Sequence, residues 1–211
     1  MENRNRDEHR WTWQELEPRY LAADNPRGQS GFSGDEGRWE MARRVIADCI
    51  PRGGTFLDIG CASGFLMESV VEWAGERGVR VEPYGLDASA KLAELARSRL
   101  PNWAERIYVG DALTWQPPRR FDVVRTELVY VPKDREPEYV QRLLDHFLTP
   151  GGRLLACSYG SSRRPAPLVE AIDEQLRDWG FDVGGVAEAV DPANGIPVNR
   201  VVWIETPGAK R

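Results

Sequence analysis

The chain has 211 residues, which at roughly 100 to 200 residues per domain leaves room for one domain and little more. A hydrophobic fraction of 41% beside 29% charged residues excludes a disordered or fibrous protein. The net charge of −5, from 28 Lys+Arg against 33 Asp+Glu, argues against nucleic acid, whose binders carry a basic patch or stripe. No run of about 18 apolar residues occurs, so neither a membrane nor secretion is expected. Cys49, Cys61 and Cys157 are odd in number and lack metal or redox spacing, which fits reduced thiols in a cytoplasmic protein.

In chain order, residues 1–35 lack a sustained apolar period and read as an N-terminal arm or lid, with residues 36–211 as the main domain. Trp11, Trp13, Tyr20 and Phe32 alternate there with arginines, while Asn25, Pro26, Gly28, Gly31 and Gly34 act as helix breakers. Ser33 to Glu36 has the spacing of a capping box for a helix carrying Trp39, Ala42, Val45, Ile46 and Cys49, stopped by Pro51 to Gly54.

Strand and helix then alternate: strand Thr55–Ile59, helix Phe65–Ala74, strand Val81–Leu86, and a helix capped by Ser89. Short strands follow at Ile107–Val109 and Phe121–Val124, then a helix opened by Pro137 and ended by Pro150-Gly151-Gly152, and a strand Arg153–Cys157. A helix with Leu168, Val169, Ile172, Leu176 and Trp179 on one face precedes two β-like runs, Phe181–Val190 and Val198–Glu205. Repeated βα units predict an α/β, doubly wound, mostly parallel seven-stranded sheet with helices on both faces. The last two strands have no helix between them and are expected to form an antiparallel C-terminal hairpin.

The stretch Asp58-Ile59-Gly60-Cys61-Ala62-Ser63-Gly64 ends an apolar strand, turns on glycines and opens a helix. Open α/β sheets bind ligands at this place, beyond the carboxyl ends of their strands. The spacing Gly60-x-Ala62-x-Gly64 differs from a dinucleotide fingerprint, and Asp58 would repel a pyrophosphate but suit the ammonium of an amino-acid-like ligand. Asp87, followed by Ala88, ends the second strand, where a carboxylate can accept both hydroxyls of a ribose. Gly110-Asp111-Ala112 follow the third strand, where Asp111 can accept from an adenine amino group and the Ala112 backbone can address a ring nitrogen.

With these motifs in place, the chain resembles the class I S-adenosylmethionine-dependent methyltransferases. The resemblance runs from about Trp39 to Glu205 and includes Phe121-Asp122-Val123-Val124 and Leu148-Thr149-Pro150-Gly151-Gly152, with Ala62 replacing a middle glycine. It implies S-adenosyl-L-methionine as cofactor, held by Asp58, Gly60, Cys61, Ala62, Gly64, Asp87, Ala88, Gly110, Asp111 and Ala112, and a methyl transfer by in-line displacement without metal. The segment Arg125-Thr126-Glu127-Leu128-Val129-Tyr130 falls where the family places residues beside the methyl group, which makes Glu127 and Tyr130 the catalytic candidates. It lacks the Asn/Asp-Pro-Pro-Tyr/Phe motif of enzymes that methylate DNA amino groups.

Tyr20, Phe32 and Tyr159 are the candidates for contacting the acceptor. The expected acceptor is a small molecule, with a peptide or protein acceptor as the alternative, and the protein is expected to be a monomer or homodimer. Two rival readings are an NAD-dependent oxidoreductase and a non-catalytic S-adenosylmethionine-binding protein. His146 beside Leu143, Leu144 and Phe147 reads as a helix flank, Cys61 as a small packed residue, and Arg163-Arg164 as a solvated pair.

Overall fold

The computed structural model describes residues 12–160 and 169–208. Seven strands form one sheet: β1 (Gly54–Ile59), β2 (Val81–Asp87), β3 (Ile107–Val109), β4 (Phe121–Glu127), β5 (Leu148–Tyr159), β6 (Val183–Asp191) and β7 (Ile196–Glu205). Their order is β3-β2-β1-β4-β5-β7-β6. The first five pair in parallel, and β7 is antiparallel to both β5 and β6. The doubly wound sheet with a C-terminal hairpin is therefore as expected, with β7 inserted beside β5 and β6 outermost.

The helices are α1 (Trp13–Leu21), α2 (Glu36–Asp48), α3 (Phe65–Glu76), α4 (Ala90–Arg99), α5 (Glu136–Arg142) and α6 (Ile172–Asp178). Alternation along β1 divides the core between the two faces of the sheet. Leu57 and Ile59 join Tyr139, Val140, Leu143 and Phe147 on the α5 and α6 side. Phe56 points the other way, to Ile46, Val70 and Trp73 of α2 and α3. Ala93 and Ala96 of α4 pack with Cys61 and Met67.

Several boundaries differ from the sequence expectation. Asp35, not Ser33, caps α2, its side chain accepting from the Arg38 N–H at 2.9 Å. The arm contains α1, where Glu15 accepts from both the backbone N–H and the hydroxyl of Thr12 at 2.7 and 2.9 Å. Such a capping pair starts a helix where no apolar period announces one, and no α1 residue is buried. β4 runs on through Arg125, Thr126 and Glu127, which the sequence places in a loop.

Helix α5 widens into a π turn at Leu143–Phe147, and β5 begins at Leu148, so Thr149 to Gly152 stand within the strand that they were expected to precede. The register shift between Phe121 and Val123 absorbs the irregularity, and Gly151 takes a φ of 71° that an L residue resists. Helix α6 starts at Ile172, later than the apolar face suggests; Leu168 and the Arg163-Arg164 pair lie outside the described residues.

Candidate active site

β1 and β4 are neighbours whose helical crossovers leave in opposite directions, and this switch point opens a cavity of about 740 Å³ above the strand ends. The turn after β1 forms one wall. Gly60 has a φ of 73°, and a Cβ there would come within 2.6 Å of the Tyr130 ring. Ala62 has a φ of 46°, and among the described residues no other non-glycine residue has a positive φ. This position is left-handed, and an alanine there costs on the order of 1 kcal/mol. Asp87 fixes the turn, accepting from the N–H of Ala62 through Oδ2 and of Ser89 through Oδ1, both at 2.8 Å.

Of the ten residues expected around the cofactor, nine line the cavity: Asp58, Gly60, Cys61, Ala62, Asp87, Ala88, Gly110, Asp111 and Ala112. Gly64 does not. It is the N-cap of α3 with a φ of 74°, a left-handed conformation that L residues rarely adopt, which by itself calls for a glycine. Burial raises the Cys61 thiol well above its usual range, which leaves it a packed neutral side chain. Asp111 is exposed, with Oδ1 accepting from the Leu113 N–H at 2.7 Å.

Arg125 organises the floor, and no reading of the sequence singled it out. Its guanidinium is 3% exposed at the end of β4. Nη1 donates to Asp58 Oδ1 at 3.2 Å, to the Ile59 carbonyl at 3.1 Å and to the Tyr130 hydroxyl at 3.0 Å. Nη2 donates to Glu127 Oε1 at 2.5 Å and to the Tyr159 hydroxyl at 2.7 Å. A signal was present: a charged residue inside the buried parallel strand Phe121-Asp122-Val123-Val124-Arg125-Thr126 needs an acid across from it. The β1–β4 register supplies one by pairing Asp58 with Arg125.

Burial pushes the Asp58 carboxyl up to about 6, with Arg125 pulling the other way. Its Oδ2 is buried without a hydrogen bond among the described residues. Burial also raises Asp87 above the usual carboxylate range, opposed by the two N–H donors. Tyr130 donates its hydroxyl proton to Glu127 Oε1 at 2.6 Å. Burial, and then the Glu127 charge against the pull of Arg125, keep that hydroxyl well above its ordinary value. The two catalytic candidates of the sequence, Glu127 and Tyr130, are thus hydrogen-bonded to each other at the rim of the cavity.

The opposite wall comes from the arm and α2. Tyr20, Phe32 and Tyr159 all line the cavity, as does Trp39. Phe32 packs edge-on against Trp39 at a centroid distance of 5.3 Å, and the Trp39 indole donates to Ser69 Oγ at 2.9 Å. The arm is also joined to the glycine turn and to the start of α4: the Ser30 and Ser63 hydroxyls are 2.7 Å apart, and Glu17 accepts from Ser89 Oγ at 2.5 Å and from Lys91 Nζ at 2.8 Å.

A family model described as a methyltransferase domain matches residues 56–152, from β1 to the start of β5. Over this stretch, a little under half of its length, the chain is similar to the methyltransferase-domain family. The matched domain holds Asp58, Asp87, Asp111, Arg125 and Glu127, but neither the arm nor Arg43 and Tyr159.

Trans-aconitate 2-methyltransferase of Rhizobium etli is 34% identical over 98 residues, 46% of this chain. The match spans about a third of the length of that curated relative. Among solved structures, the chain is similar to the N-methyltransferase NodS of Bradyrhizobium japonicum in complex with S-adenosyl-L-homocysteine. The TM-score is 0.63 at 16% identity, covering 92% of this chain and 98% of that one. It is also similar to the Burkholderia thailandensis 1,6-didemethyltoxoflavin-N1-methyltransferase with bound 1,6-didemethyltoxoflavin and S-adenosylhomocysteine. There the TM-score is 0.57 at 19% identity, covering 82% of this chain and 81% of that one. At these identities the likeness is one of fold, and the fold is that of class I methyltransferases.

Proposed function

We propose that the protein is an S-adenosylmethionine-dependent methyltransferase acting on a small-molecule acceptor in the cytoplasm. The observation that carries this reading is the set of carboxylates Asp58, Asp87 and Asp111 on three successive strand ends around one cavity, with the methyltransferase-domain match over the same residues. The residues suit the cofactor. Asp58 Oδ2 is a buried acceptor without a partner among the described residues and fits an ammonium. Asp87 keeps lone pairs for two ribose hydroxyls after accepting two N–H groups. Asp111 and Ala112 stand at the third strand end for the adenine.

When bound, the cofactor supplies an electrophilic sulfonium methyl. The chain's own contribution is alignment and exclusion of water. Arg125 positions Glu127 and Tyr130 by direct hydrogen bonds, leaving Glu127 as the group that accepts an acceptor proton or orients its donor atom. The arm, through α1 and Phe32, is the lid over the acceptor, and the protein acts as a monomer or homodimer. Among the described residues no helix is long and apolar enough to cross a membrane.

The test is transfer of a labelled methyl group from S-adenosylmethionine to small acceptors, beginning with trans-aconitate, the compound named in the relative. Release of S-adenosylhomocysteine matched by a labelled small product supports the reading. Tight cofactor binding without turnover on any acceptor would favour a non-catalytic binding protein.

A further inference from the structure

The cavity is electrostatically divided. Its strand-end side carries Asp58, Asp87 and Asp111, while the side built by α2 presents Arg43. The Arg43 guanidinium carbon stands 3.5 Å from the centroid of the Tyr159 ring, with the Phe32 and Trp39 centroids at 5.2 and 5.4 Å. At 3.5 Å the flat face of the guanidinium is occupied by the ring, and its N–H donors, which lie in its plane, face elsewhere. No carboxylate lies within ion-pair distance of Arg43 and no acceptor takes a hydrogen bond from it among the described residues. Its neighbours Arg38 and Arg44, by contrast, pair with Asp191 and Glu40.

The aromatic seat is rigid. The Tyr159 hydroxyl accepts from Arg125 Nη2 at 2.7 Å, and Trp39 is tied to Ser69, so the surface beneath Arg43 is set before any ligand arrives. A half-buried guanidinium stacked on a fixed ring, lining a cavity with its donors unused, is the arrangement that binds a carboxylate through two parallel hydrogen bonds.

On the reading that this cavity is a methyl-transfer site, we propose that Arg43 is the residue that anchors the acceptor and that the acceptor carries a carboxylate. Phe32, Trp39 and Tyr159 beside it fit an apolar or aromatic body next to the charged end. A phosphate dianion would call for a second cation, and the other two arginines that line the cavity are held by acids, Arg38 by Asp191 and Arg125 by Asp58 and Glu127.

The experiment titrates the S-adenosylhomocysteine-loaded protein with benzoate and phenylacetate and, separately, with benzamide and phenylacetamide, which match in shape but carry no charge. The acids are expected to bind at least about tenfold more tightly than the amides, a ratio equivalent to about 1.4 kcal/mol. Arg43→Gln should erase that ratio while the affinity for S-adenosylhomocysteine and the melting temperature hold, and Arg43→Lys, which keeps the charge without the fork, should restore only part of it. Equal binding of acids and amides, no acid binding at millimolar concentration, or a preference that survives Arg43→Gln would overturn the proposal. If the wild-type protein fails to bind S-adenosylhomocysteine, the methyl-transfer reading fails on that measurement. The acid-to-amide ratio of the unloaded protein then tests Arg43 by itself.

Discussion

The two ends of the cavity are built by different means. The strand-end side is assembled from tight turns: Asp87 accepts from Ala62 and Ser89, the Gly60 N–H donates to the Leu86 carbonyl at 2.7 Å, and the acids stand at the carboxyl ends of β1, β2 and β3. On the arm side the backbone bonds are local, the Phe32 N–H donating to the Arg27 carbonyl at 3.0 Å. Tyr20, Phe32, Arg43 and Tyr159 come from α1, the loop after it, α2 and the end of β5, and Arg43 joins Phe32 and Tyr159 through side-chain contacts. A rigid, backbone-held half suits a constant ligand, whereas a half made of separable side chains can change its partner while the fold stays.

If that division is real, substitutions on the two sides should separate. The largest effect is expected at their junction. Arg125→Met leaves Asp58 and Glu127 without their buried counter-charge and should lower folding stability by about 3–5 kcal/mol in denaturant titration. A loss below about 1 kcal/mol would mean that the floor is not held by Arg125.

On the strand-end side, Asp87→Ala should weaken S-adenosylhomocysteine binding by about 1–3 kcal/mol through lost charge-assisted hydrogen bonds, read by calorimetry with a melting curve taken alongside. On the arm side the pattern should reverse. Removal of residues 1–31 deletes α1, which has no buried residue, so turnover is expected to fall by about tenfold or more while the melting temperature stays near that of the full chain. A collapse of the melting transition would show the arm to be part of the core.

Asp58 gives a pH signature confined to the strand-end side. Its carboxyl sits at about 6 in the fold, above the ordinary carboxylate range, so the folded state binds the extra proton. By itself this group therefore lowers stability as pH rises from about 4 to about 6. Binding an ammonium needs the ionised form, so affinity for S-adenosylhomocysteine should weaken toward about tenfold per pH unit below about 6. A flat affinity between about pH 5 and 7 would remove Asp58 from the ligand. The smallest effect is expected for Ala62→Gly, which relieves the left-handed φ of 46° but adds chain entropy, a net gain of up to about 1 kcal/mol in thermal unfolding.

Legibility in the sequence follows the same division. The order of strands and helices could be read, and nine of the ten residues expected around the cofactor do line the cavity, because each lies in a short contiguous motif whose spacing carries the geometry. Arg125 was passed over because its meaning depends on β1 and β4 being neighbours, which brings Asp58 within 3.2 Å across 67 residues of chain. Arg43 was unreadable for the same reason: the Tyr159 ring that gives it a seat belongs to β5. Gly64, outside the cavity lining, has a left-handed N-cap that calls for a glycine whatever the ligand. Helix α1 escaped because a capping pair, not an apolar stripe, sets its start.

The most direct test of the central claim is calorimetric titration of the purified protein with S-adenosylhomocysteine, with NADH as the control. Micromolar binding of S-adenosylhomocysteine and none of NADH is the predicted result. Tight binding of NADH, with no heat from S-adenosylhomocysteine, would contradict the account and return the cavity to the dinucleotide class.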